Sequence, residues 1–439
     1  MIRTFKGGIH PPYNKEFTKN KSIQEANVPE LVIIPMSQHV GAPCEPIVKP
    51  GDQVKRGQKI GEAKTFVSAP IHASISGKVI AVEPRPHCSG GMVMSVVISS
   101  DGKDEIFEGI KPYEKIESLS PEDIKNLIRD AGIVGMGGAG FPTHVKLSPP
   151  PDKTIDTIIV NGAECEPYLT ADHRLMLERP EDVVLGLEAI MKVTGVKRGY
   201  IAIEENKPDA INAIESIING KEGIEVVSLL TKYPQGGEKQ LIEAVTGRQV
   251  PSGGLPMDVH VIVNNAGTCA AIANCLKTGM PLIDRITTVT GTGIKEPKNL
   301  LLRIGTPMSE VIKQCGGFDG EPGKIIMGGP MMGQAQAEQQ VPVIKSTSGI
   351  LVMKKSDVEY TKQSPCIRCA RCVDACPIHL LPTNIGRLAE RGMWTEAEKF
   401  HALDCIECGC CAYECPAHIP LTQLIRLAKN HIIASRKNK

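Results

Sequence analysis

Cys366-Ile367-Arg368-Cys369-Ala370-Arg371-Cys372-Val373-Asp374-Ala375-Cys376-Pro377 recurs as Cys405-Ile406-Glu407-Cys408-Gly409-Cys410-Cys411-Ala412-Tyr413-Glu414-Cys415-Pro416. Both stretches are C-x2-C-x2-C-x3-C-P, the spacing that holds a pair of [4Fe-4S] clusters. The reason is reach. Three thiolates two residues apart wrap one corner of a cubane in a single tight loop. The fourth follows three residues later, points away and ligates the other cluster. The spacing therefore assigns Cys366, Cys369, Cys372 and Cys415 to one cluster and Cys376, Cys405, Cys408 and Cys411 to the second. Pro377 and Pro416 end each loop and lack an N–H. Cys410 has no place in the pattern and is read as a non-ligand. Structural zinc sites use two C-x2-C pairs across a longer loop, a pattern that does not generate two complete repeats each closed by proline.

The helical periodicity around these loops predicts a ferredoxin-like module larger than the smallest hairpin type. Apolar residues recur at helical spacing after His379, with Thr383 or Asn384 as the expected cap. A second piece follows over 394–403, and a third starts after Pro420. Arg368 and Arg371 flank the first loop, and Glu407 and Glu414 the second. Local charge of this kind separates two cluster potentials, and solvated surface charge is the plain alternative.

The whole chain has 439 residues, 41% hydrophobic and 23% charged, which fits a globular protein of two to four domains. Its formal net charge of +1 gives no global argument for nucleic acid as a partner. Of 15 cysteines, six are scattered and nine fall between Cys366 and Cys415, so the thiols point to metal rather than to a disulfide scaffold. No signal peptide is read at the N-terminus, and no apolar run approaches the ~18–20 residues of a membrane span. The expected location is cytoplasmic, or peripheral on the cytoplasmic face.

The glycine-rich stretch Gly135-Met136-Gly137-Gly138-Ala139-Gly140-Phe141-Pro142-Thr143-His144-Val145-Lys146 lets the backbone approach a ligand and offers N–H groups to an anion. It is preceded by a helix over 124–131, signalled by Ser120-Pro121-Glu122-Asp123, and followed by the strand Thr157-Ile158-Ile159-Val160. That order is neither a dinucleotide fingerprint nor a P-loop. A mobile glycine loop is the bland alternative, and His144 reads best as a structural histidine. Asn161-Gly162-Ala163-Glu164-Cys165-Glu166-Pro167 follows its strand, then Tyr233-Pro234-Gln235-Gly236-Gly237-Glu238. A further strand over 259–263 empties into Asn264 and Asn265. Strands ending in polar residues are where an open α/β sheet displays its ligand groups, and amides can read a flavin or nicotinamide edge.

These four motifs, in this order, resemble the flavin subunit of respiratory NADH dehydrogenase. The whole chain, from Thr4-Phe5-Lys6-Gly7-Gly8-Ile9-His10-Pro11-Pro12 to the cysteine repeats, resembles the C component of the Rnf ion-translocating NADH–ferredoxin oxidoreductase complex. The resemblance implies a non-covalent FMN held by Gly135, Gly137 and Lys146, with Asn161, Glu164, Asn264 and Asn265 around it. It implies NADH as substrate near Gly138, Ala139, Phe141, Glu166, Tyr233 and Glu238. Relative to the respiratory protein the chain has Ala163 where Asp is usual, Gly237 in place of the first of two Glu, and Leu147 near the place of an aromatic. It implies as partners the other subunits of a membrane-bound complex, an iron–sulfur subunit and integral membrane subunits among them, with ferredoxin reached indirectly. NADH delivers a hydride, a cluster takes one electron at a time, and a flavin mediates between them. No catalytic side chain is required. A soluble corrinoid reductase of similar architecture, and an electron relay without a nucleotide site, are the alternatives.

The expected fold is multidomain, α+β and α/β. Residues 1–118 form a barrel-sandwich-like domain resembling biotin and lipoyl carriers. The span from Gly61 to Ala69 is too short for the carrier hairpin, and Lys64 lacks the Met-Lys context, so no covalent cofactor is expected. Residues 119–279 form a Rossmann-like FMN/NADH domain. Residues 280–349, which on spacing alone read only as α+β with a helix over Met308–Gln314, resemble the small β-grasp module of the same two families. Residues 350–439 form the helical two-cluster domain, entered through a linker at 350–365. The basic tail from Arg426 to Lys439 is read as a solvated terminus, with an acidic membrane surface or partner as the alternative.

Overall fold

The computed structural model describes residues 2–113, 116–358 and 361–437. Four units of secondary structure follow in chain order. Each forms where the local pattern dictates.

The first is a pair of small antiparallel sheets. One orders Leu31–Pro35, Met92–Ser100, Gly77–Pro86 and Gln53–Val54; the other orders Glu45–Pro46, Lys59–Glu62 and Ile71–His72. Val32, Ile34, Ile60, Ile75, Val79, Val96 and Ile98 fill the space between them and are completely buried. Glycine and proline turns break every strand, as expected of a sandwich.

The second unit is a parallel sheet in the order Ile224–Leu229, Gly199–Glu204, Thr157–Gly162, Val261–Asn265. Its strands are near-continuous apolar runs because helices cover both faces. The helix Pro121–Asp130 starts at a full capping box between Ser120 and Asp123. Chain order runs from Thr157–Gly162 outward to one edge and then returns to its other side. The topological switch point therefore lies between Thr157–Gly162 and Val261–Asn265, where Asn161 pairs in register with Asn265. The last strand begins two residues later than the apolar run suggests. Val259 closes a 3-10 turn, Pro256–Val259, and His260 takes a left-handed conformation with φ 63°.

The third unit is a six-stranded mixed sheet ordered Ile23–Glu25, Lys298–Arg303, Asp284–Thr290, Gly349–Lys354, Pro322–Met327, Gln334–Ala335, with the helix Met308–Gln314. Gly349–Lys354 corrects the expected linker at 350–365. It is a buried strand paired on both sides, because Ile350, Leu351 and Val352 are fully buried. The connection to the cysteine module starts only after the 3-10 turn Lys355–Asp357; residues 359 and 360 lie outside the described residues.

The fourth unit packs helices Pro382–Glu390, Trp394–Lys399 and Leu421–Lys437 around Ile385, Ala389, Ala397, Ile425 and Ala428. Neither Thr383 nor Asn384 caps the first helix. It starts with Pro382 at its first position and Leu381 at the N-cap, so the fixed φ of proline sets the start. The final helix runs through the basic tail to Lys437; Asn438 and Lys439 lie outside the described residues.

Residues 2–25 run as an arm outside the strands of the sandwich. Arg3 bridges Leu229 at the edge of the parallel sheet, Ile9 bridges Tyr233, and Ile23–Glu25 adds an edge strand to the six-stranded sheet. No helix among the described residues is long and apolar enough to cross a membrane.

Candidate functional site: a glycine loop at the sheet switch point and two cysteine sets

The glycine stretch forms a hairpin-like loop. Gly135 N–H donates to the Phe141 carbonyl at 2.8 Å, and Val134 bridges Pro142. Met136 is pinned from two sides: its N–H donates to Thr268 Oγ1 at 2.9 Å, and its carbonyl accepts from Arg285 at 3.0 Å. The tip, Gly137, Gly138 and Ala139, stays exposed. A Cβ on Gly137 would lie 2.9 Å from Asn265 Nδ2, whereas a Cβ on Gly138 would meet nothing within 4 Å. The loop thus stands over the carboxyl end of Val261–Asn265, beside the switch point.

Several of the expected site residues are brought together there. Lys146 Nζ donates to Glu238 at 3.2 Å and to the Val263 carbonyl at 2.8 Å. Asn161 donates to the Gly236 carbonyl at 2.8 Å and accepts from Ala163 N–H, which ties the second motif to the third. Asn265 caps the helix Ala266–Thr278 through Gly267 N–H and donates to Asp172 at 2.6 Å. Asn264 is buried, and its Nδ2 has no protein partner among the described residues. A donor stranded in this way marks a place for a ligand acceptor.

Other expected residues are spent on structure. Glu164 is buried and accepts from Asp172 N–H at 2.9 Å and His173 N–H at 3.2 Å, at the first turn of Ala171–Glu178. Burial raises its pKa, opposed by the ammonium of Lys15. Glu166 accepts from Met331 N–H at 3.0 Å and Met332 N–H at 2.8 Å, and burial pushes its carboxyl up to about 7. Both of its oxygens therefore hold a loop of the β-grasp unit. Tyr233 is fully buried, and its hydroxyl donates to the Cys408 carbonyl at 2.8 Å. Phe141 is half-buried and Glu238 exposed. His144 is buried with Nε2 on the Phe66 carbonyl, and burial lowers its pKa.

The cysteines sort into two sets. Cys366, Cys369, Cys372 and Cys415 line one cavity of ≈ 370 Å³, open to the surface beside Ile367 and Arg387. Cys376, Cys405, Cys408 and Cys411 line a second, narrow cleft of ≈ 20 Å³. Each set takes three cysteines from one repeat and one from the other. The two loops are related by a 39-residue offset, Cys366 to Cys405, and share their backbone strain. Positive φ recurs at Arg368 and Glu407, at Ala370 and Gly409, and at His379 and His418. These left-handed residues turn N–H groups toward sulfur: Arg368 N–H lies 3.4 Å from Cys366 Sγ and Glu407 N–H 3.3 Å from Cys405 Sγ. Among the described residues no three His, Cys, Asp or Glu side chains converge tightly enough for a single metal ion. Cys410 is fully buried, 4.0 Å from the Tyr233 carbonyl, and lines neither cavity.

The narrow set faces the flavin-like unit. Besides Tyr233, Gln240 donates to the Pro377 carbonyl at 3.0 Å, Gly8 N–H donates to the Ala375 carbonyl at 3.0 Å, and Ser252 donates to Asp404 at 2.5 Å. Gly7 packs so closely that a Cβ would lie 2.9 Å from the Cys376 carbonyl. The open set lies on the far side, with Cys366, Cys369 and Ile367 exposed. Of the acidic flank expected beside the second loop, Glu407 is neutralised by Arg426 at 2.6 Å and Lys429 at 2.7 Å.

Sequence reasoning missed the buried cations that lock these parts together. Lys15 donates to the carbonyls of Glu164, Glu166 and Leu169. Lys345 donates to those of Pro70 and Gly132, and Lys232 to those of Phe5 and Gly7. Isolated lysines carry no periodic signal, and their partners are distant in sequence.

Comparison with known proteins follows the same division. Residues 3–103 match the RnfC barrel sandwich hybrid domain, 128–274 the Nuo51 FMN-binding domain, 286–335 the SLBB domain and 365–419 the 4Fe-4S dicluster domain. The C component of the Na(+)-translocating ferredoxin:NAD(+) oxidoreductase complex of Acetobacterium woodii is 56% identical, covering 99% of this chain and 98% of its own. The proton-translocating counterpart of Clostridium ljungdahlii is 52% identical over 92% of this chain and 88% of its own. The C component of the ion-translocating oxidoreductase complex of Rhodobacter capsulatus is 43% identical over 89% and 75%. Among solved structures, an NAD+-reducing [NiFe]-hydrogenase in the H2-reduced state shares the fold, with a TM-score of 0.50 and 18% identity over 74% of this chain and 64% of that one.

Proposed function

The chain belongs to the RnfC family, the C components of ion-translocating ferredoxin–NAD oxidoreductase complexes, and from that premise we propose how its parts carry electrons. It is an electron-transfer subunit of an Rnf-type NADH:ferredoxin oxidoreductase complex. In our reading FMN lies at the sheet switch point. The backbone N–H of Gly137 meets its phosphate, Gly135, whose own N–H closes the loop on Phe141, lets the backbone come close, Lys146 adds a cation, and Asn161, Asn264 and Asn265 line its edge. The unpartnered Nδ2 of Asn264 and the exposed glycine tip support this assignment. Nicotinamide approaches over Gly138, Ala139, Phe141 and Glu238, whereas Glu166 and Tyr233 act by holding neighbouring loops.

The two cysteine sets fit two [4Fe-4S] clusters, an inner one at Cys376, Cys405, Cys408 and Cys411 and an outer one at Cys366, Cys369, Cys372 and Cys415. The crossed lining of the two cavities and the sulfur-facing N–H groups support that reading. When bound, flavin exchanges a hydride with the nicotinamide and single electrons with iron–sulfur centres. The protein's own part is positioning: Tyr233 and Gln240 seat the inner set against the flavin unit, and the outer set faces a partner. That partner is an iron–sulfur subunit or an integral membrane subunit of the complex, on the cytoplasmic face of the membrane.

The observation that carries this reading is the bond from Tyr233 to Cys408, which joins the two redox units in one rigid contact. The test is metal and flavin analysis followed by anaerobic NADH titration. About eight irons, one flavin and bleaching by NADH are expected from the ligand count. A protein that keeps its iron yet takes up no flavin on reconstitution overturns it.

A further inference from the structure

Two threonines occupy equivalent places in the cysteine repeats. Thr383 Oγ1 lies 3.1 Å from Cys372 Sγ, and Thr422 Oγ1 lies 3.9 Å from Cys411 Sγ. Each threonine stands at the start of a helix, Pro382–Glu390 or Leu421–Lys437. Among the described residues the sulfur is the one hydrogen-bond partner of each hydroxyl. Cys372 and Cys411 are the third cysteines of their loops and are equally buried, at 9% and 8% exposure.

We propose that Thr383 and Thr422 donate hydrogen bonds to cluster-ligand sulfurs and set the reduction potentials of the outer and inner clusters, Thr383 the more strongly. The proposal rests on the cluster reading above. An iron-bound thiolate carries no proton, so the hydroxyl is the only donor in either pair. A donor at a ligand sulfur stabilises the state with more negative charge and raises the potential. One electron enters, no bond breaks, and the proton stays on the threonine oxygen. One backbone N–H donor recurs in both loops at nearly the same distance, 3.4 Å and 3.3 Å, and the inner set has a further one, Leu380 N–H at 3.4 Å from Cys376 Sγ, so each threonine's share is read by changing its hydroxyl alone. Between the two threonine contacts, whose sulfurs are equally buried, distance decides: 3.1 Å is a close contact to sulfur, and 3.9 Å is a long one.

The test uses the full chain with both clusters loaded. Iron analysis comes first, and a protein without eight irons and two cluster signals refutes the cluster reading itself. In loaded protein, EPR-monitored titration of Thr383→Val shows one midpoint lowered and the other in place. Thr383→Ser restores it, and Thr422→Val moves the other midpoint by less. Resonance Raman supplies a second readout: transfer to D2O shifts an iron–cysteine sulfur stretch in the wild type by more than in Thr383→Val. Where Thr383→Val fails to load, the same comparison is made on Thr383→Ser and Thr383→Ala. Fully loaded variants with wild-type midpoints and an unchanged isotope shift overturn the proposal, as does a larger shift from Thr422→Val than from Thr383→Val.

Discussion

The hydroxyl of Tyr233 donates to the carbonyl oxygen of Cys408 at 2.8 Å. The third flavin-unit motif therefore touches the backbone of a residue in the inner cysteine set. Tyr233 is buried, and burial drives its phenol pKa upward, so it stays protonated and a donor at any working pH. Tyr233→Phe leaves that carbonyl without a donor, at a cost of about 1–3 kcal/mol. The expected outcome is a lower unfolding midpoint followed through cluster absorbance, with flavin content unchanged. A midpoint equal to the wild type counts against the contact.

Gly7 takes a left-handed conformation with φ 79°, against the Cys376 carbonyl. Gly7→Ala adds about 1–2 kcal/mol of backbone strain and a contact too short to keep. The arm should lift, and limited proteolysis should cut earlier between the N-terminus and residue 30. Electron transfer from flavin to the inner cluster, followed by stopped flow, should slow. Unchanged proteolysis together with unchanged transfer would falsify the wedge.

Gly137→Ala places a methyl group against Asn265 in the exposed loop. Flavin should bind at least ~10-fold more weakly, about 1.4 kcal/mol, while iron content stays at the wild-type value. Fluorescence titration of reconstituted protein reads the first quantity and colorimetric iron the second.

Cys410→Ser should retain both clusters, since Cys410 lines neither cysteine cavity. Cys376→Ser should lose the inner cluster, although Cys376 lies in the first repeat, and Cys415→Ser should lose the outer one. Which EPR signal vanishes in each decides the crossing. Loss of the same signal from Cys376→Ser and Cys372→Ser would contradict it.

Glu166 has its carboxyl raised to about 7 by burial, from an ordinary 4.5. Below pH 4.5 it is protonated in folded and unfolded chains alike. Between 4.5 and about 7 only the unfolded chain ionises, so folding loses stability as pH rises. Above that window the loss is constant, at about 3 kcal/mol. Glu166→Gln removes the slope, and the difference between wild-type and variant melting temperatures should change between pH 5 and 7. A difference that stays flat across that range rules the burial effect out.

The sequence carried the cysteine pattern in full, because the ligand spacing is local and repeats. The capping box at Ser120 and the helix Met308–Gln314 were legible for the same reason. Gly349–Lys354 was not, since a short apolar run before a polar stretch reads equally as a linker or a central strand. The roles of Glu166 and Tyr233 were hidden too. Their partners, Met331 and Cys408, are about as distant in sequence as residues of separate domains. The hydroxyl–sulfur pairs leave only a faint trace in the sequence, as threonines at one offset from both third cysteines.

The arm has a consequence for how the protein is made. Its residues leave the ribosome well before their partners: Arg3 waits for Leu229, Ile23–Glu25 for Lys298–Arg303, and Gly8 for Ala375. Domains generally fold as units in the order of synthesis. The arm, made before these partners, is thus among the last parts to settle, after the cysteine module has emerged. Closure of the arm onto Tyr233 and Cys376 then acts as a completion latch, set only on chains in which the sheets and the cysteine module are already built.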